Sequence, residues 1–420
     1  MRHWLRARGP AILLLGATLA APFLAPSRSA AQSAAPAAAP AAASAAAPAA
    51  TQEPFRVHTI LPLSGPGAFL GQAQQQALRI EEKLVNAEGG IKGRPISFVF
   101  HDDQSSPQVA VQLVGQIKPE NPSVLLGSTL VAMCMAEAPL TARGPLTYCF
   151  SPGVHSKPGS FMYNSSVSTE DVLAAQVRYF RLRGFTKIAL ISSTDASGQD
   201  GARTTHDALK LPENKDVQLV ADLQFNPTDV SVAAQIERIR DSGAQAMIAW
   251  TTGTSVGTVF KAIVGSGLDI PVGTSFGNML NAQMDQYAAF LPKELYFGTS
   301  GWPEAPENAS IPAGVQAAKK RMFAAFHSEN LVPDAAPTFP WDAVMMLVDG
   351  WRKLGPDASA EQMRSYLAGL QNYAGVNGLY DFVKVPQRGL DMSSVYITIW
   401  KPQEHRWAIV SGPGGELPGK

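Results

Sequence analysis

The chain has 420 residues, 45% of them hydrophobic and 16% charged, with 34 Lys+Arg against 34 Asp+Glu. That composition fits a globular protein with room for two domains and excludes a disulfide-stapled miniprotein, a collagenous chain and a wholly disordered one. With no basic excess to neutralise phosphates, nucleic acid is excluded as a partner, and neutral small molecules or modest anions are the expected cargo.

At the amino end Arg2, Arg6 and Arg8 precede an apolar stretch over 11–24, then Pro26 and Ser29-Ala30-Ala31. Residues 1–31 therefore read as an export signal cut after Ala31. The apolar run is too short to span a bilayer, and no other stretch approaches the roughly 20 apolar residues a membrane helix needs. The mature chain is expected to be exported and soluble, with no membrane insertion, and the lack of a Cys after the apolar run argues against a lipid anchor. Cleavage removes four arginines and no acids, which leaves 30 basic against 34 acidic side chains, net −4. Residues 32–54 are rich in Ala, broken by Pro36, Pro40 and Pro48, and read as a disordered linker.

From Phe55 onward short apolar runs alternate with amphipathic stretches. Strands are expected over 56–61, 96–101, 123–126, 146–150, 187–192, 218–225, 246–250 and 295–299. Helices are expected over 71–88, 106–117, 130–141, 169–183, 201–209, 230–242, 255–265, 312–329 and 340–354. This is the α/β class, with parallel sheets covered by helices on both faces. The series runs twice, over about 55–168 and again from 169, so two doubly wound lobes are expected, with ligand at the carboxyl ends of their strands. A hairpin over 395–400 and 406–410 completes them.

Cys134 and Cys149 would meet an oxidising compartment, where a bridge over this span would contribute roughly 3 kcal/mol. Cys134 falls in a helical pattern and Cys149 in an apolar strand, so a disulfide and two buried thiols both stand open. Two cysteines without a nearby His pair argue against a metal site, and the seven histidines are scattered without ligand spacing.

Two G-x-S-x-G strings occur, over 253–257 and 273–277. The first follows a strand and opens a helix, the setting of a hydrolase nucleophile, which would be Ser255. Its base would have to be His327 or His405, no His-Gly-Gly string offers an oxyanion hole, and two copies weaken both. Ser64 to Gly71 places its third glycine one residue late for a dinucleotide loop, and Pro66 has no amide proton, so a tight turn exposing helix-terminal amides fits better. Adjacent Asp102 and Asp103 point to opposite faces of a strand and read as turn and capping residues. What remains is a set of hydroxyl and glycine clusters at strand ends, Gly127-Ser128-Thr129, Ser192-Ser193-Thr194, Thr251 to Thr254 and Thr274-Ser275. They can offer donors to a polar ligand without reacting with it, or simply cap helices.

Several strings over nearly everything after residue 55 resemble the periplasmic substrate-binding proteins of branched-chain-amino-acid-type ABC transporters. They are Leu61-Pro-Leu-Ser-Gly-Pro66 with Gly71, Asn86-Ala-Glu-Gly-Gly-Ile-Lys-Gly-Arg-Pro95, Asp102-Asp-Gln-Ser-Ser-Pro107, Gly127 with Ala138-Pro139, and Trp341-Asp342-Ala343. The resemblance implies a type I binding-protein fold, two lobes joined by three crossovers that close on a small ligand and dock on a permease. It implies no cofactor, no catalysis, a monomer and a periplasmic location. The lobes would comprise 55–168 with 298–392, and 169–297 with 393–415. A ligand-sensing module of the same fold is the alternative within the resemblance, and a hydrolase using Ser255 the alternative outside it.

The chain departs from the amino-acid binders of that family. The carboxylate-fixing hydroxyl is replaced by Val131, the loop over 273–278 offers Ser275 and Phe276 but no acid, and Ser197 stands where an aromatic residue precedes the glycine. A buried ammonium without an acidic partner is costly, so the expected ligand is a carboxylate without an α-amino group, aromatic or otherwise hydrophobic. Phe69, Tyr148, Phe150, Trp250, Phe276 and Trp302 are the candidate rings. The expected ligand contacts are Phe69, Ser128, Thr129, Leu130, Val131, Phe150, Ser151, Ser197, Thr252, Gly253, Ser275, Phe276 and Trp302.

Overall fold

The computed structural model describes residues 53–305 and 311–418; the expected export signal and nearly all of the linker lie outside them. Five strands form the first sheet: β1 (Phe55–Leu61), β2 (Ile96–Asp102), β3 (Val124–Leu126), β4 (Leu146–Cys149) and β5 (Met162–Asn164). All pair in parallel in the order β2-β1-β3-β4-β5. Between them run α1 (Ala68–Ala87), α2 (Pro107–Ile117) and α3 (Val131–Glu137), and α4 (Thr169–Leu182) leads into the second lobe.

The second sheet has seven strands: β6 (Lys187–Ser193), β7 (Gln218–Phe225), β8 (Ala246–Trp250), β9 (Val272–Thr274) and β10 (Leu295–Ser300) in parallel, and β13 (Val395–Lys401) and β14 (Arg406–Ile409) as an antiparallel edge. The order is β14-β13-β10-β9-β8-β6-β7, so the expected hairpin is present. Helices α5 (Ala196–Leu209), α6 (Ala233–Asp241), α7 (Ser255–Ser266) and α8 (Asn281–Tyr287) connect its strands. The chain then supplies α9 (Ala313–Ser328), α10 (Thr338–Leu354), α11 (Ala360–Ala368) and the small pair β11 (Tyr373–Ala374) and β12 (Leu379–Tyr380). Helices α9 and α10 pack on α1 and so join the first lobe.

The central strands are buried along their whole length, as in β8 and β10, because helices cover both faces of a parallel sheet. The family-like strings turn out to be fastenings. The Asn86 side chain clamps the start of β2, accepting from Ile96 N at 2.7 Å and donating to Ile96 O at 2.9 Å. Asp102 accepts from the amides of Leu63 at 2.9 Å and Gln104 at 2.8 Å, and Asp103 from that of Ser105 at 2.8 Å. Asp342, buried on α10, accepts from the amides of Val376 and Asn377 and from the Tyr380 hydroxyl.

The chain passes between the sheets after β5, after β10 and before β13. β10 stays in the second sheet through Ser300, which pairs with Val395, so the boundary expected at residue 298 cuts a strand and moves to its end. Arg388, in the passage before β13, holds the passage after β5 and the loop after β4. Its buried guanidinium donates to the carbonyls of Ser165 at 3.2 Å, Ser166 at 3.3 Å, Pro152 at 3.1 Å and Val154 at 2.6 Å. Burial lowers its pKa to about 10.

Candidate functional site

A cavity of about 310 Å³ lies between the carboxyl ends of the two sheets. Loops after β1, β2, β3 and β4 and the starts of α4 and α10 form one wall, and loops after β6, β7, β8 and β9 form the other. The lobes meet closely around it. A Cβ on Gly253 of the second lobe would stand 2.7 Å from Pro66 O of the first. His155 Nε2 reaches Asp200 Oδ1 across the gap at 3.0 Å.

The first-lobe wall is apolar, with Leu70, Leu130, Val131, Met133 and Phe339 facing the cavity. Its polar groups are largely spent inside the lobe. Ser128 is fully buried: its hydroxyl donates to Asp103 Oδ2 at 2.5 Å and its amide to Glu137 Oε2 at 3.2 Å. Thr129 accepts from Gln74 Nε2 at 2.8 Å. Cys134 and Cys149 form a disulfide, which settles the open choice and ties α3 to the end of β4. Both tied segments continue into the wall, through Leu130 to Met133 and through Ser151 to Gly153.

The second-lobe wall is polar. The hydroxyls of Ser197 and Thr252 lie 2.9 Å apart and those of Thr252 and Ser275 3.4 Å apart. This chain can turn its protons outward or inward to suit a ligand. Trp250 lines the same wall, and Gly201 lets it lie there, since a Cβ at that position would come within 2.0 Å of the indole.

Of the expected contacts, Thr129, Leu130, Val131, Ser151, Ser197, Thr252 and Ser275 line the cavity. The other six do not. Ser128 serves the interior network, and Phe150 is fully buried in the core. Phe69 packs on the core from its edge. Phe276 is buried edge-on behind Phe339, ring centroids 5.4 Å apart, and so supports a wall residue. Gly253 turns with φ 94° and donates its amide to Asn278. Trp302 lies buried beyond β10 and donates to Thr299.

The loop over 273–278 brings no acid to the cavity, but the segment after β6 does. Asp195 and Asp200 both line the cavity, and among the described residues no Lys, Arg or His does. The sequence pattern predicts this helix from Gly201, which leaves Asp200 in a loop. The helix begins at Ala196, capped by Asp195, whose side chain accepts from Gly198 N at 2.9 Å. Asp200 therefore stands one turn beyond Ser197 on the same face. Its Oδ1 also accepts from Arg203 Nη2 at 2.8 Å. Burial pushes the Asp200 carboxyl up, but His155, Arg203 and Thr169 together hold it below the ordinary carboxylate range.

The hydrolase geometry does not assemble. Ser255 Oγ pairs with Thr251 Oγ1 at 2.7 Å, His327 stacks edge-on with Phe323 on α9, and His405 pairs with Asp285. Among the described residues no group of three or more His, Cys, Asp or Glu could hold a metal, and no helix is long and apolar enough to cross a membrane.

A family model described as periplasmic binding protein matches residues 54–403. The chain belongs to the type I periplasmic binding proteins, the branched-chain-amino-acid-binding-like family. This binding protein is similar in structure to an extracellular ligand-binding receptor from Rhodopseudomonas palustris, with a TM-score of 0.73 and 17% identity over 86% of this chain and 99% of that one. It is similar to a branched-chain amino acid transporter substrate-binding protein from Streptococcus pneumoniae in complex with isoleucine, TM-score 0.69, 17% identical over 87% and 98%. It is also similar to an ABC transporter solute-binding protein from R. palustris in complex with benzoate, TM-score 0.68, 18% identical over 87% and 98%. At these identities the likeness is one of fold. In sequence, a chemotactic signal transduction substrate-binding protein of Halobacterium salinarum is 32% identical over 87 residues, about a fifth of each chain.

Proposed function

We propose that this binding protein works in the periplasm, where it clasps a small organic carboxylate with an aromatic or otherwise hydrophobic body and hands it to the permease of an ABC importer. The observation that carries the reading is the two-faced cleft. Leu130, Val131 and Phe339 with Trp250 suit an apolar body, and the Ser197–Thr252–Ser275 hydroxyl chain suits a polar head. Its volume of about 310 Å³ falls at the small end of the roughly 300–1,000 Å³ usual for ligand sites. The solved relatives hold isoleucine and benzoate, both carboxylates. Closure on an unreacted guest converts contacts from both lobes into a shape that a permease reads. The earlier exclusion of an amino group loses its premise, since Asp195 and Asp200 face the cavity.

Thermal-shift screening of the mature chain against aromatic and branched aliphatic carboxylates tests the ligand class. A probe at 100 times its Kd should add about 2.7 kcal/mol of stability, and a panel without a single shift sinks the reading. Uptake of the active compound should then fail in cells lacking the protein. The sensing alternative draws on the chemotactic relative; under it, such cells keep uptake and lose the behavioural response.

A further inference from the structure

The Asp200 carboxylate is used on one side only. Oδ1 takes both His155 Nε2 at 3.0 Å and Arg203 Nη2 at 2.8 Å. Oδ2 is buried in a side chain only 9% exposed and makes no well-formed hydrogen bond with any described residue; the Thr169 hydroxyl beside it lowers the carboxyl's pKa without completing one. It lies over the Gly153 backbone, where an added Cβ would stand 3.0 Å from it, and Gly153, Thr169 and Asp200 all line the cavity. A desolvated carboxylate oxygen is the strongest acceptor the cleft offers, and leaving it unpaired is costly. Helix capping does not need this acid, since Asp195 already caps the helix, and the ion pairs with His155 and Arg203 engage Oδ1 alone.

We infer that Asp200 determines specificity: the ligand carries a hydroxyl or ammonium group that donates to Oδ2, at the end of the molecule away from its carboxylate. Two carboxylates side by side repel each other, so the ligand's own carboxylate turns away from Oδ2 and its donor group meets it. A site built to pair with a donor rejects the analogue that lacks it far more strongly than an apolar pocket rejects a missing methylene. The inference rests on the reading of the cleft as a carboxylate site, and it adds a second functional group to the ligand.

Calorimetric titration of the mature protein with benzoate, 4-hydroxybenzoate and 4-(aminomethyl)benzoate separates the two claims. At least one donor-bearing probe should bind roughly tenfold or more tighter than benzoate. A gain confined to the hydroxyl probe assigns a neutral donor, and a gain confined to the ammonium probe assigns a cation. The ratio of affinities should collapse toward one in Asp200→Ala, or in Asp200→Asn where the alanine variant does not fold. His155→Ala removes the pair across the cleft but leaves Oδ2, so it should weaken all three probes alike and preserve the ratio. Equal binding of the three probes, a ratio that survives loss of Asp200, or a ratio lost in His155→Ala overturns the inference and leaves the ligand class standing. No binding by any of the three overturns the aromatic form of the ligand and the inference with it, and the aliphatic carboxylates of the thermal-shift panel then decide the wider class.

Discussion

The strand-end loops after β3 and after β6 look alike in composition and do opposite work. Gly127-Ser128-Thr129 ends β3, and its hydroxyls are consumed inside the first lobe by Asp103 and Gln74. A Cβ on Gly127 would lie 1.9 Å from Ile60 O, so the loop is pressed against β1 with no slack. The loop after β6 places Ser197 and Asp200 on a helix face that looks into the cavity, and their remaining capacity points at whatever the cleft holds. A polar loop contributes to binding only through the hydrogen bonds its own lobe has left unmade.

If that contrast is right, damage to the first-lobe wall should register as lost stability, and damage to the second-lobe wall as lost affinity. The largest effect is expected from Cys134→Ser paired with Cys149→Ser. Removing a bridge that spans 15 residues should cost roughly 3 kcal/mol in denaturant unfolding. Affinity should fall as well, because α3 and the loop after β4 both carry wall residues. An unchanged unfolding midpoint would mean that the first-lobe wall is held by packing alone.

The pH dependence sharpens the same point. Glu137 is buried beneath the β3 loop, and burial raises its pKa from 4.5 to about 8, with Asp103 pushing the same way against the Ser128 amide. Folding therefore favours its protonated form. The stability this confers is complete below about pH 4.5 and is lost as pH rises through about 8. Glu137→Gln should flatten the stability profile across that window by an amount on the order of a few kcal/mol. A profile with the same slope in the variant would show that another group titrates there.

Much of the scaffold was legible in the sequence because parallel strands buried on both faces give continuous apolar runs. The eight expected strands are all present, and the nine expected helices too, with shifted ends. What escaped were short elements: β5 and β9 with three residues each, β11 and β12 with two, α8 with seven and α11 with nine. At the site, Ser128 stood out by its position at a strand end and Ser197 by the family resemblance, and neither signal could tell which hydroxyl its own lobe consumes. That difference depends on Asp103, 25 residues earlier in the chain, which only the fold brings beneath the loop. Aromatic candidates fared worse, because Phe150, Phe276 and Trp302 fill the interior. Asp200 was missed through a helix start placed five residues late.

Ser128→Ala comes next in size. It strands Asp103 Oδ2 in the interior without its partner, and should lower stability by about 1–3 kcal/mol. Equilibrium unfolding measures it, and a neutral result would mean that the Asp103 carboxyl is protonated or rehydrated at little cost.

The smallest stability effect and the cleanest test of the contrast is Ser197→Ala. Ser197 is half-buried at the start of α5, and its hydroxyl bonds only to Thr252 among the described residues. The helix keeps its Asp195 cap, and alanine is at least as good a helix former as serine. Stability should therefore stay within about 0.5 kcal/mol, as for substitutions that leave no buried group stranded. Affinity for a carboxylate probe should nevertheless drop several-fold, because one donor of the hydroxyl chain is gone and Thr252 must satisfy both Ser275 and the ligand. Side by side, Ser128→Ala and Ser197→Ala remove one oxygen each from loops of similar sequence. Should both lower stability and spare affinity, the second-lobe wall would be scaffold like the first, and the ligand head would have to be sought elsewhere in the cleft.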